Sequence, residues 1–123
     1  MPLHWKIDAQ QRQASAVAEG DVTRSEIEAF HEALRLAGAY GYRKLFDGAR
    51  GNFVMDADDL MALGVRIRAS HEEGPIGPLA VVVSDDQFEK AAHVLGMLAA
   101  ADRKMRVFHQ LGQARKWIDS LPR

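Results

Sequence analysis

Cysteine is absent from the 123 residues. That absence excludes disulfide frameworks, thiol nucleophiles, thiolate zinc sites and iron–sulfur clusters together. Long apolar runs are missing too. The longest, 79–83 and 94–101, fall far short of the roughly 20 residues that a membrane-spanning helix needs. The opening residues, Met-Pro-Leu-His-Trp-Lys-Ile-Asp, contain no basic stretch leading into an apolar one, so no signal peptide is expected and the expected location is the cytoplasm. Neither charge predominates. Sixteen basic and seventeen acidic side chains leave a net charge of -1, which argues against a dedicated nucleic-acid binder. Residues 1–61 carry ten acids and seven bases, and residues 62–123 carry seven and nine; so slight an imbalance reads as solvated surface.

What is present is ordinary for a folded chain: 47% hydrophobic and 27% charged residues. A chain of this length buries roughly two thirds of its unfolded surface and needs no metal or disulfide staple. There are no sequence repeats, low-complexity tracts or internal linkers, so one domain over 1–123 is expected.

Two short strands open the chain. Residues 4–9 alternate Trp5 and Ile7 with Lys6 and Asp8, and residues 13–19 alternate Ala14, Ala16 and Ala18 with Ser15, Val17 and Glu19. The turn Gln10-Gln11-Arg12 makes them antiparallel neighbours. Helix starts are well marked. Thr23 with Glu26 reads as a capping box, with Val22 and Ile27 as a hydrophobic staple across it. The helix over 23–37 then buries Ile27, Phe30 and Leu34 and stops at Gly38. Ser84 with Gln87, and Val83 with Phe88, repeat this grammar for a helix over 84–101. Asp56, with Met55 and Leu60, is a looser version for 56–70. A fourth helix over 110–120 follows from Ala114, Trp117, Ile118 and Leu121.

Between the helices, 44–47, 79–83 and 105–108 read as strands. The continuous apolar run 79–83 suits a parallel strand covered on both faces. In the loop 74–78, two prolines stiffen the entry to that strand. The order predicts an α/β fold: a five-stranded, mostly parallel sheet with an antiparallel N-terminal hairpin strand, four helices and right-handed crossovers.

This order and these junctions resemble the SpoIIAA-like group of the STAS fold. The matching pieces are Val17-Ala18-Glu19-Gly20-Asp21-Val22-Thr23, Lys44-Leu45-Phe46-Asp47, the acidic start Asp56 to Leu60, and Val107-Phe108 leading into Ala114-Arg115-Lys116-Trp117-Ile118. Related bacterial sequences are also similar to the CRAL-TRIO lipid-binding fold. In STAS anti-sigma-factor antagonists a kinase phosphorylates a serine within Asp-Ser-Ser-Gly-Leu at a helix start. The corresponding stretch here is Asp56-Ala57-Asp58-Asp59-Leu60, so the resemblance does not carry the phosphorylation switch over. Asp58 would place charge where that phosphate sits, although an aspartate in a first helical turn needs no such role.

The residues offer little chemistry beyond this. Gly38-Ala39-Tyr40-Gly41 and Gly48-Ala49-Arg50-Gly51 lack the spacing of phosphate-cradling loops. The acidic helix starts would also repel nucleotides and metal-free phosphate. His71-Glu72-Glu73 lacks a second histidine for zinc. Glu28 and His31 read as a solvent-facing ion pair, since no second Glu-x-x-His exists to build a di-iron site. No serine sits in a G-x-S-x-G elbow. Asp47 stands at the expected C-terminal end of a parallel strand, where α/β sheets place their sites, although accepting hydrogen bonds in a Gly48–Gly51 turn ranks ahead of a catalytic role. His109 lies just past the last strand, within reach of a cleft at the strand ends. The bases Arg103, Lys104, Arg106, Arg115 and Lys116 fall close together, with no aromatic interleaved as single-strand binding would want.

The expected function is therefore a non-catalytic regulatory or protein-interaction module without cofactor, metal or nucleic acid. The alternative is a carrier of a small apolar ligand or lipid; an enzyme built on Asp47 or His109 ranks below both. The candidate interaction or ligand site comprises Asp47, Asp56, Asp58, Leu63, Met97 and His109. Two helices carry more apolar residues than a single packed stripe requires, so Leu63 and Val65, with Val94 and Met97, are expected to be left over for a ligand or a homodimer.

Overall fold

The computed structural model describes residues 3–74, 76–89, 91–92 and 104–122. Its five strands are β1 (Leu3–Asp8), β2 (Gln13–Val22), β3 (Arg43–Phe53), β4 (Leu79–Val83) and β5 (Met105–Phe108). They form one sheet in the order β1-β2-β3-β4-β5. β1 runs antiparallel to β2, and the remaining neighbours are parallel. The described helices number three, not four: α1 (Arg24–Leu36), α2 (Ala57–Ser70) and α3 (Leu111–Ser120). The helix expected over 84–101 opens instead as a 3-10 turn, Asp85–Gln87. Helical geometry follows at Phe88, Glu89, Ala91 and Ala92; its continuation, with Val94 and Met97, lies outside the described residues.

Alternation along each strand divides the core in two. Ala14, Ala16, Ala18, Phe46, Val81 and Val83 pack with Phe30 and Leu34 of α1 on one face. Leu45, Ala80, Val82 and Phe108 pack with Ala114 and Ile118 of α3 on the other. β4 is thus covered on both sides, as its unbroken apolar sequence predicts.

β2 and β3 run further than their apolar residues indicate. β3 passes through Gly48 to Gly51, so the expected turn there is a strand, and Asp47 sits in mid-strand opposite Val17 and Val82. The pairing slips between Val17 and Glu19, because β3 holds one extra residue there. The carboxylate of Asp47 accepts the Ala49 N–H at 3.3 Å beside this bulge.

Two cations, Arg43 and Lys44, are buried. Arg43 is 4% exposed. Its Nη1 donates to the carbonyls of Ile118 (3.1 Å) and Leu121 (3.4 Å), and its Nη2 donates to that of Gln11 (3.0 Å). The guanidinium therefore joins the end of α3 to the β1–β2 turn, placing positive charge where a helix macrodipole is negative. Lys44, 3% exposed, donates from Nζ to the carbonyls of Tyr40 (2.6 Å) and Tyr42 (2.8 Å).

Candidate functional site

The start of α2 is closed by its own side chains. Asp59 N–H donates to Asp56 Oδ1 at 2.9 Å, and Asp56 N–H donates to Asp59 Oδ2 at 3.2 Å. This is the reciprocal geometry of a capping box, built from the motif that reads as the loosest of the three. The two that read best form no side-chain cap. Thr23 and Ser84 contribute backbone carbonyls only. Gln87 Nε2 instead donates to the Gly51 carbonyl at 3.2 Å, and Glu26 Oε2 is buried without a partner. Replacing Asp56 with alanine is expected to cost about 1 kcal/mol, measurable by urea titration; Asp58→Ala, at an exposed position outside this exchange, should cost much less.

α1 and α2 are joined by an ion-pair ladder and a polar knot. Glu28 pairs with Arg24 at 3.1 Å and Arg66 at 3.4 Å, Glu32 with Arg66 and Arg35, and Asp59 with Arg24. The partners of Glu28 are thus arginines and not His31. The Arg35 hydrogen bond holds the Glu32 carboxyl below its usual range, and the same pairing raises Arg35. What Glu32 adds to stability is therefore present at neutral pH and is lost as pH falls through the lowered value, with a small amplitude because the pair is exposed.

His31 Nε2 lies 2.7 Å from the hydroxyl of Ser70, and its ring stacks on Tyr40 with centroids 5.0 Å apart. Ser70 is 6% exposed and donates to the carbonyl of Arg66 at 2.9 Å. The same hydroxyl also faces the Tyr40 hydroxyl at 3.4 Å, so Ser70 links His31, Tyr40 and the α2 backbone. The knot fixes α2 against α1.

Beneath these groups an apolar cleft of about 150 Å³ opens between the helices and the sheet, lined by Phe30, Phe46, Met55, Leu60, Leu63 and Ile67 among others. Leu63, expected to be left over, is 3% exposed and belongs to this wall. The apolar side chains that α2 does turn outward are Met61 (65%) and Val65 (59%), one turn apart. Leu63 faces the sheet because the buried stripe runs through Leu60, Leu63 and Ile67, which places Met61 and Val65 on the opposite side.

The remaining candidates are scattered. Asp47 lines a polar groove of about 260 Å³ with Lys6, Gln13, Ser15 and Arg115, where α3 leaves β1 and β2 uncovered. His109 lies at the far end of the parallel strands, bonding Asp85 through Nδ1 at 2.6 Å and stacking on Phe88 at 4.0 Å. The site residues named from sequence thus occupy different regions, and Met97 lies outside the described residues. The basic cluster does have aromatic neighbours in space. Arg106 lies over Phe108 at 5.2 Å, and Phe108 meets Trp117 at 5.8 Å. Among the described residues no group of three or more His, Asp or Glu is placed to hold a metal ion, and no helix is long and apolar enough to cross a membrane.

A mixed five-stranded sheet with these crossovers, and a capped second helix beside an apolar cleft, define a small α/β domain of the SpoIIAA-like type. The sequence model of the SpoIIAA-like family matches residues 15–119, and the chain belongs to that family. A solved structure from Shewanella loihica PV-4, an uncharacterised protein of the DUF3478 family with a SpoIIAA-like fold, is similar to it. That likeness has a TM-score of 0.64 at 18% identity and covers 94% of this chain and 93% of that one. No curated protein matches.

Proposed function

We propose that this protein is a non-catalytic regulatory or interaction module, one that binds a protein partner without a phosphoserine switch. The observation that carries the reading is the α2 start. Residues 56–60 contain no hydroxyl group, and Asp56 and Asp59 already satisfy each other's N–H groups. Such an end has little to offer an added phosphate, which would face three carboxylates. The surface offered to a partner is the outer side of α2, with Met61 and Val65 exposed and methionine an adaptable contact. A homodimer through this side is the simplest form. Sedimentation equilibrium should then show self-association that Met61→Asp with Val65→Asp removes while the thermal midpoint stays put. Incubation with ATP and a cell extract should add no phosphate to residues 55–60 by intact mass and peptide mapping. A strictly monomeric protein that acquires phosphate in that segment would overturn the reading.

The cleft supports a second reading, carriage of a small apolar ligand. Its 150 Å³ lies below the roughly 300–1,000 Å³ of ordinary ligand pockets, but it equals the size of an engineered cavity, about 150 Å³, that binds benzene. The ligand on this reading is one ring or a short chain, and a long lipid tail does not fit. Toluene at millimolar concentration should raise the thermal midpoint by mass action, and Leu63→Trp should abolish the rise. Failure of toluene and of hexanoate to shift the wild-type midpoint would remove this reading.

A further inference from the structure

We infer that the outer edge of β5, with α3 beside it, docks an extended acidic segment of another protein as a sixth strand. The surface is separate from the outer side of α2. β5 ends the sheet, hydrogen-bonded to β4 on one side only among the described residues. Its other edge presents backbone donors and acceptors of the kind that strand addition uses.

Charge identifies the occupant. Between residues 104 and 118 there is no aspartate or glutamate, in a chain whose acids outnumber its bases; Arg115 lines the Asp47 groove, which leaves Lys104, Arg106 and Lys116 for this edge. None of Lys104, Arg106 and Lys116 pairs with a carboxylate among the described residues. An open groove of about 530 Å³ lies between β5 and α3, lined by Arg106, Phe108, His109, Lys116 and Trp117. Arg106 lies along the Phe108 ring at 5.2 Å, which holds the guanidinium beside the strand. Arg106 and Phe108 share the α3 face of β5, while Val107 points to the opposite face, against the other core. An added strand would therefore present every second side chain to cations, and carboxylates at alternate positions fit them. A single nucleic-acid strand fits less well, because the strand's own ring, Phe108, is 8% exposed and already covered by Arg106.

Cations on a short edge strand also serve simply to prevent unwanted pairing, and the experiment separates the two roles. The probe is a fluorescein-labelled octapeptide alternating glutamate and valine, read by anisotropy and by amide shifts in ¹H–¹⁵N spectra. Binding should be at least about tenfold tighter than for the glutamine–valine peptide and should weaken as salt rises from about 50 to 500 mM. Shifts should centre on residues 105–109. Arg106→Glu with Lys116→Glu, both exposed positions, should abolish binding; should that pair unfold the protein, Lys104→Glu with Lys116→Glu serves. Methylating alternate peptide nitrogens should abolish binding too. No binding at millimolar peptide, equal binding of the glutamine or N-methylated peptide, shifts centred elsewhere, or tighter binding of oligothymidylate would each overturn the inference.

Discussion

Replacing Arg43 with alanine should lower the thermal midpoint by roughly 10 °C, the shift expected of about 3 kcal/mol in a domain of this size. The guanidinium is the common partner of three backbone carbonyls contributed by two distant segments, at Gln11 and at Ile118 and Leu121. Alanine leaves those acceptors without that donor at a buried position and adds a cavity. One opposing effect acts: a buried guanidinium is itself desolvated, and its Nε has no partner. Three charge-assisted bonds, two of them at a helix C-terminus, outweigh that single orphan. Lysine keeps the charge but is a point donor, unable to reach the turn and the helix together, so Arg43→Lys should recover less than half of the loss. A shift below about 3 °C for alanine would mean that the desolvation cost cancels the bonds.

Gly77→Ala should be as damaging, for a steric reason. A Cβ on Gly77 would stand 2.7 Å from the Gly41 carbonyl carbon and closer still to the carbonyl oxygens of Gly41 and Tyr42. These are backbone atoms, unable to swing aside as a side-chain tip does. The Gly77 N–H also donates to the Tyr40 carbonyl at 2.7 Å, so the two loops cannot separate without losing that bond. A loss of about 3 kcal/mol is expected, read from the denaturation midpoint. Alanine at Gly112, where nothing lies within 4 Å of a Cβ, should be neutral or slightly stabilising, because a helix favours alanine over glycine. Equal effects at both positions would refute the account.

These two residues also show where the sequence stops being readable. The loop containing Gly77 carries turn residues, and nothing in it announces that another loop crosses within van der Waals distance. Arg43 and Lys44 are adjacent cations, and their burial depends on carbonyls at Tyr40 and Ile118, one near and one 75 residues away. Local pattern did better where one interaction decides. β4 and β5 lie where their apolar runs put them, and the three described helices begin within a residue of their expected starts. β2 and β3 outran expectation because backbone pairing carries them through Gly20, Gly48 and Gly51, residues that read as turns. Asp47 moved from strand end to mid-strand for that reason. On α2, apolar residues on both sides hide the phase of the buried stripe, so Leu63 reads as surplus although it is buried in the wall of the cleft. The acidic start at Asp56 was legible, but the reciprocity of Asp59 takes coordinates to see.

The strand order, identical to the order of synthesis, has a consequence for how the chain is made. Each strand after the first emerges next to its neighbour, so the sheet grows at one edge and needs no earlier strand to be displaced. α3 is the exception. Leu45, Ala80 and Val82 wait uncovered until it arrives, and at roughly 5–20 residues per second that interval is a few seconds. Until then no other described residue outside the sheet covers that face, and Arg43 in the middle strand lacks the helix end it will hold. A chain that ends before Leu111 would therefore lack the helix that covers Leu45, Ala80 and Val82.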